Sequence, residues 1–196
     1  NKGGASGSIG TGQVAKAEPD GYTFAVVFDT HAVNPALQPS LPFDTRRDLA
    51  PVVIVGAGAA GLTVAIAAAE HLATQNNPGQ VVLLEGAAKI GAKILVSGGG
   101  RCNVTLDVVT PKDFFGHRHV IKNILATYPV ERAVTWFASL GVELKYEDTG
   151  KLFPVTDSAK TILNALVHRC RTLGVGIHLN HRVSQIDSLP AGGFRI

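Results

Sequence analysis

The sequence predicts an α/β fold, and three observations carry that prediction. Val52 to Val55 is a short run of apolar, β-branched residues, the pattern of a strand buried on both faces. It runs straight into Gly56-Ala57-Gly58-Ala59-Ala60-Gly61 and then into Leu62–Ala73, rich in Ala and Leu and free of breakers, which predicts a helix. After a Pro78-Gly79 turn, a second apolar run, Val81 to Leu84, predicts a second buried strand. Strand, glycine turn, helix and strand in that order describe a Rossmann-like dinucleotide-binding architecture. Composition agrees. Charged residues are 17% of the chain, below the usual ~25%. Glycine, at 22 of 196 residues, exceeds its usual share of about 7%. Such a chain builds a buried sheet with backbone-lined turns rather than a disordered coil.

The elements divide the chain at residues 51 and 52. Residues 1–51 read as a Gly/Ser loop (Gly3 to Gly12), a short helical stretch (Gln13 to Ala17), a Pro19-Asp20-Gly21 turn and a strand (Tyr22 to Phe28). A turn-rich stretch with Pro35, Pro39, Pro42 and Pro51 follows. Ordering each residue costs about 1–2 kcal/mol of backbone entropy, and one helix with one strand buries too little to offset it. This segment is therefore expected to be a non-autonomous extension of a domain spanning 52–196. Within that domain a glycine loop is expected around Gly98 to Gly100, and helices over His119 to Thr127 and Val130 to Leu140. A strand is expected over Val142 to Tyr146, ended by Asp148-Thr149-Gly150. The helix over Asp157 to Leu173 places Ile162, Leu163, Leu166, Val167 and Cys170 at helical spacing, and Gly174 stops it. Strands around Ile177 to Leu179 and Val183 to Ile186 close the chain.

Several function classes are disfavoured. Leu49 to Ala69 lacks charge and is long enough to span a bilayer, but Pro51 and its three glycines fit a strand, turn and helix better. Lys and Arg total 18 against 15 Asp and Glu; the +3 balance is small and scattered, so no nucleic-acid stripe is expected. Two cysteines, Cys102 and Cys170, make no disulfide framework. Methionine is absent and no apolar signal core opens the chain, so the expectation is a cytoplasmic piece of something longer or processed. His117/His119 and His178/His181 lack a third ligand at suitable local spacing, so no metal site is expected. Ser97 lacks the His/Asp arrangement of a nucleophilic serine.

Two constellations carry chemistry. In the first, Gly56 permits a tight turn, Gly58 lets backbone approach a pyrophosphate, and Gly61 allows close helix–strand packing. The free N–H groups and dipole of the helix start then face the phosphates. Glu85 closes the next strand, where its carboxylate can accept hydrogen bonds from ribose hydroxyls. Its spacing is a little beyond the usual ~20 residues, and the 73–79 loop absorbs the excess. In the second, Lys93-Ile-Leu-Val-Ser97-Gly98-Gly99-Gly100-Arg101-Cys102-Asn103, three glycines expose amides and let the chain pass flat against a planar ligand. Arg101 offers a donor fork, and Asn103 can donate and accept. Residue chemistry alone leaves this stretch divided between a ligand loop and a flexible surface loop. Cys102 reads more simply as a small buried side chain than as a redox thiol.

Together these stretches resemble the BaiN-like flavoproteins, FAD-dependent oxidoreductases that include 3-dehydro-bile-acid reductases. The resemblance rests on VVIVGAGAAGL (Val52–Leu62), LLEGAAKIGAKILVSGGGRCNVT (Leu83–Thr105), GKLFP (Gly150–Pro154), DSA (Asp157–Ala159) and HRV (His181–Val183). It implies FAD as cofactor, NAD(P)H as co-substrate and a small organic acceptor. It also implies that Gly56, Gly58, Ala59, Ala60 and Gly61 cradle the pyrophosphate and that Glu85 holds the adenosine ribose. Lys93, Gly98, Gly99, Arg101, Cys102 and Asn103 would line the flavin side, and the backbone of Val183 would meet the adenine. The family's NVTN reads Asn103-Val-Thr-Leu106 here, which removes one polar contact. By the same resemblance residues 52–196 are expected to lack the segment that completes the flavin pocket, weakening FAD affinity and turnover. No catalytic acid or base and no oligomeric state can be named from the sequence.

The opening segment resembles a different family. NKGGASGSIGTGQVAKAEPDGYTF, THAVNPAL and LPFDTRRDLAPV are similar to the early part of a Bug-type tricarboxylate-transporter receptor, a periplasmic solute-binding protein. That similarity implies the alternative function, carboxylate binding, for a receptor fragment. The two resemblances meet at Pro51-Val52, which predicts a recombinant junction there.

Overall fold

A computed structural model describes residues 8–17, 25, 41–42, 53–74, 79–115, 118–188 and 194–196. The chain forms two units, one comprising residues 1–50 with 183–196 and the other residues 51–182.

The 51–182 unit is built on a parallel sheet. Strand β1 (Val53–Val55) pairs with β2 (Val82–Leu84) in the register Val53↔Val82, and β2 pairs on its other side with β6 (Gly176–His178), Val82↔Gly176. Parallel neighbours need a crossover, and helix α2 (Ala59–Thr74) supplies it between β1 and β2. Along α2, Leu62, Ala65, Ile66, Ala69 and Leu72 fall on one buried face at steps of three and four. That face meets α6 (Ala159–Thr172), which buries Ala159, Ile162, Leu166 and Cys170. At the rim of this contact, Arg169 grips Glu70 at 3.0 and 2.6 Å. One core holds both helices and the sheet, with Leu83 from β2 and with Val81 and Val175, the residues just ahead of β2 and β6. The apolar patterns read from the sequence therefore correspond to real contacts.

Between β2 and α6 the chain builds a second, antiparallel sheet. Helix α3 (Ala92–Val96) leads into a kinked glycine turn (Ser97–Gly100) and then β3 (Thr105–Leu106). A short 3₁₀ turn (Pro111–Asp113) and helices α4 (Arg118–Thr127) and α5 (Val130–Ser139) follow. Strands β4 (Leu144–Tyr146) and β5 (Lys151–Pro154) complete a sheet of order β3-β5-β4. Its central strand is the most buried: Leu152 and Phe153 are at most 2% exposed.

In the other unit, the described residues form helix α1 (Ser8–Val14) and the short antiparallel pair β7 (Asp187–Ser188) and β8 (Phe194–Arg195). Two expectations change here. The first helix begins at Ser8 and ends where the expected Gln13–Ala17 stretch starts, despite Gly10 and Gly12 within it. Residues 183–186 are not a strand; the ladder begins at Asp187, where a partner exists in β8. The strand expected over 22–28 lies outside the described residues apart from Ala25. Among the described residues no helix is long and apolar enough to cross a membrane.

Candidate functional site

The strand-to-helix turn after β1 uses its three glycines for three different reasons. Gly56 sits at φ +97°, a backbone region that side chains disfavour. Its N–H donates to Leu84 O at 2.7 Å, which ties the turn to the end of β2. At Gly61 a Cβ would stand 1.7 Å from Gly56 O, so helix and turn touch backbone to backbone. At Gly58 a Cβ would meet nothing within 4 Å, so the chain there faces open space. Leu62 N–H donates to Gly58 O at 3.0 Å, the first intrahelical bond, and the amides of Ala59, Ala60 and Gly61 belong to the opening turn that a helix leaves unsatisfied.

Glu85 joins this turn directly. Its Oε2 accepts from Ala57 N–H at 2.7 Å and its Oε1 from Ala87 N–H at 2.9 Å. These bonds, Ala57 first, hold its carboxyl below the usual range, and the Arg182 charge adds to them. Each oxygen keeps a further lone pair after these bonds. The carboxylate is thus fixed as an anion at the mouth of the turn with acceptor capacity to spare. Gly91 N–H donates to Ala57 O at 3.0 Å, which fastens the start of α3 to the same turn.

The second constellation gathers on strand β5. Gly98, Gly99 and Gly100 take φ of +56°, +67° and +87°, three successive left-handed residues. A Cβ on Gly98 would lie 2.8 Å from both Asn103 N and Phe153 Cε1, whereas on Gly99 it would meet nothing. Cys102 N–H donates to Ser97 O at 2.9 Å and Val104 N–H to Leu152 O at 2.9 Å, closing the loop onto β5. Cys102 itself is left-handed (φ +62°) and buried, and burial pushes its thiol up, away from the reactive thiolate. Asn103 Oδ1 is a buried oxygen with no hydrogen-bond partner among the described residues. Such an atom costs about 1–3 kcal/mol unless something donates to it.

Arg101 is held by partners on the β4–β5 hairpin and just beyond it. Its guanidinium hydrogen-bonds Glu147 through Nη1, with Nη2 3.4 Å from Glu147 Oε2, and Nη1 reaches Asp157 Oδ1 at 3.4 Å. Its Cζ lies 3.9 Å over the Phe153 ring. Asp157 also takes a bond from Lys145, the main cause holding its carboxyl below the usual range. Lys93 is exposed on α3. Val183 belongs to the other unit. The structure therefore unites Gly56 to Gly61 with Glu85, and separately unites Gly98, Arg101, Cys102 and Asn103 around β5. Sequence reasoning missed Glu147, Asp157 and Phe153, whose partner Arg101 lies about 50 residues away in the chain; only the family-like GKLFP and DSA runs flagged their neighbourhood.

The residues present fit a bound flavin dinucleotide. The open face at Gly58 is a cradle that any larger residue would fill, Glu85 has acceptors left for sugar hydroxyls, and Asn103 Oδ1 needs a donor.

Comparison with known proteins gives two matches along the chain. The family described as HI0933-like protein Rossmann domain matches residues 50–196, and the tripartite tricarboxylate transporter family receptor matches residues 1–81. The 3-dehydro-bile acid delta(4,6)-reductase of Clostridium scindens is 35% identical over 144 residues, 73% of this chain and 34% of that protein. The ribosomal RNA dihydrouridine synthase of Haemophilus influenzae is 35% identical over 138 residues, 70% of this chain and 33% of that protein. The chain thus spans about a third of the length of these relatives. Protein BugT of Bordetella pertussis is 43% identical over 58 residues, 29% of this chain and 18% of that protein. Among solved structures, the 3-ketosteroid-delta4-(5alpha)-dehydrogenase of Rhodococcus jostii RHA1 in complex with 4-androstene-3,17-dione aligns at TM-score 0.50 and 18% identity, covering 69% of this chain and 38% of that one, a likeness of fold. With a family match over three quarters of its length and the expected Rossmann-like sheet and turn in place, the chain belongs to the HI0933-like Rossmann family.

Proposed function

We propose that residues 52–196 are the FAD-binding part of an oxidoreductase that passes hydride between NAD(P)H and a small organic acceptor. The observation that carries this reading is the Gly58 face, open to solvent at the head of α2 and flanked by the fixed Glu85 carboxylate. Bound FAD would supply the redox chemistry. The chain's own residues do the rest. Amides from Gly56 through Ala59 and Ala60 to Gly61 hold the diphosphate, aided by the helix dipole. Glu85 orients the ribose by accepting from its hydroxyls. Lys93, Gly98, Gly99, Cys102 and Asn103 form the flavin side, Asn103 Oδ1 accepting one hydrogen bond there, on the loop that Arg101 holds. Residues 1–51 are read as a receptor-like extension, to which no carboxylate binding is assigned. The two named reductive relatives act on unlike acceptors, a bile acid and ribosomal RNA, so the acceptor of this chain is left to assay.

Purifying the full chain with added FAD and recording its visible spectrum after desalting tests the reading. Flavin bands should persist, and anaerobic NADH or NADPH should bleach them. Gly58→Val should leave the melting temperature close to the parent's, because a Cβ there meets no protein atom within 4 Å, yet abolish retention by filling the phosphate path. Equal retention by the variant would sink the assignment.

A further inference from the structure

We infer that Arg101 is a positioning residue: held by Glu147 and Asp157 over the Phe153 ring, it fixes the left-handed glycine run against strand β5 so that the loop can face the flavin. This rests on the flavin reading above and goes beyond it, since the family resemblance would place Arg101 on the cofactor side itself.

The geometry carries the inference. A guanidinium has one plane and five donors in a fixed fork. Here its Cζ lies over the Phe153 ring, 3.9 Å from the centroid, and its Nη atoms are directed to the carboxylates of Glu147 and Asp157. Lys145 takes the other oxygen of Asp157, so two cations and two anions close a neutral network. Glu147 follows β4 and Asp157 follows β5 in the chain, so the network ties the glycine loop to the β4–β5 hairpin. Phe153 serves twice: Arg101 lies on its face, and its edge atom Cε1 closes the space beside Gly98. Three consecutive left-handed glycines, followed after Arg101 by the left-handed Cys102, are one of many paths open to a free loop. Something must select this path, and the clamp on Arg101 is anchored between the glycine run and the strained Cys102.

Two measurements on the full chain decide the matter. Hydrogen exchange of the Gly98–Asn103 amides in flavin-free protein reports loop order directly, and FAD titration followed by the visible spectrum of bound flavin reports its consequence. Glu147→Gln removes an anion that touches only the clamp. It should speed exchange at those amides and weaken FAD binding roughly three- to tenfold, the scale of one partly screened charge-assisted bond. Arg101→Met should do the same, and the double variant should be no worse than either single one, the mark of a shared interaction. Arg101→Lys, which keeps the charge and loses the fork, should restore little. If instead Arg101→Met loses FAD while Glu147→Gln binds as tightly as the parent or more tightly, Arg101 touches the cofactor and the inference is overturned. Should Glu147→Gln melt early, Asp157→Asn takes its place, since Asn tolerates the left-handed backbone at that site (φ +52°). If the parent retains no FAD, the cofactor reading fails, and exchange alone judges the clamp: unchanged loop amides in the variants refute it.

Discussion

The two glycine turns of this chain look alike on paper and differ in what demands their glycines. The turn after β1 spaces its three glycines apart, and each answers a separate constraint: a positive φ at Gly56, open space at Gly58, backbone contact at Gly61. The loop after α3 runs its glycines together, and all three answer one constraint, left-handed backbone, with Gly98 also crowded by Phe153. The first turn is held by its own neighbours, Leu84 O and the Glu85 carboxylate. The second is held by side chains far along the sequence. A spaced glycine motif therefore marks a junction between elements, whereas a contiguous run marks a path the backbone must be forced to keep.

The comparison breaks first at Gly61. Gly61→Ala puts a methyl 1.7 Å from a backbone oxygen that cannot swing aside, so the helix must move off the turn. Overpacking of this kind costs about 3 kcal/mol or more, enough to broaden or abolish the thermal transition seen by circular dichroism. Gly58→Ala, three residues earlier, should melt within a degree or two of the parent, because its Cβ is unopposed. If the two alanine variants melt alike, the glycines of this turn are not doing separate jobs.

The second loop yields a smaller contrast. Gly99→Ala meets only the left-handed penalty, about 1–2 kcal/mol. Gly98→Ala adds the two contacts at 2.8 Å, for about 2–4 kcal/mol in all. Chemical denaturation of both variants measures the difference. Equal losses would mean that Phe153 yields freely and packing contributes nothing at Gly98.

How much of this was legible in the sequence follows from the range of the interactions. β1, α2, β2 and α6 announce themselves by local apolar spacing, and their cores match it. The first turn was legible because its motif is local and its acid, Glu85, ends the very next strand. Strand β5 was not read as a strand: Leu152 and Phe153 are apolar side by side, with no alternation to announce a pairing, and what makes them a strand is pairing with β3 and β4. The partners of Arg101 were hidden for the same reason. Its sequence context shows a donor beside glycines, and only the folded chain reveals two carboxylates waiting for it. Residues 183–186 carry Val183 and Ile186 as a strand would, but among the described residues they have no ladder partner, and pairing begins at Asp187.

Glu85 offers the finest test of how the first turn is held, because its effect can be switched by pH. The Ala57 and Ala87 amides favour the anion and hold its folded-state titration below the unfolded value. A group depressed in this way stabilises the fold fully above its unfolded pKa, near 4 for a free glutamate, and that contribution fades as pH falls through the lower folded value. Glu85→Gln sets one N–H donor of its amide against an Ala57 or Ala87 donor at every pH. The variant should lose about 1 kcal/mol at neutral pH, after discount for the partial exposure of the site. The gap between variant and parent should then narrow as both are acidified below about pH 4, where the parent's carboxyl takes up its proton. Melting curves across that range read the gap directly. A gap that stays constant with pH would mean that Glu85 acts by shape alone, and the first turn would then owe its form to Gly61 packing without help from charge.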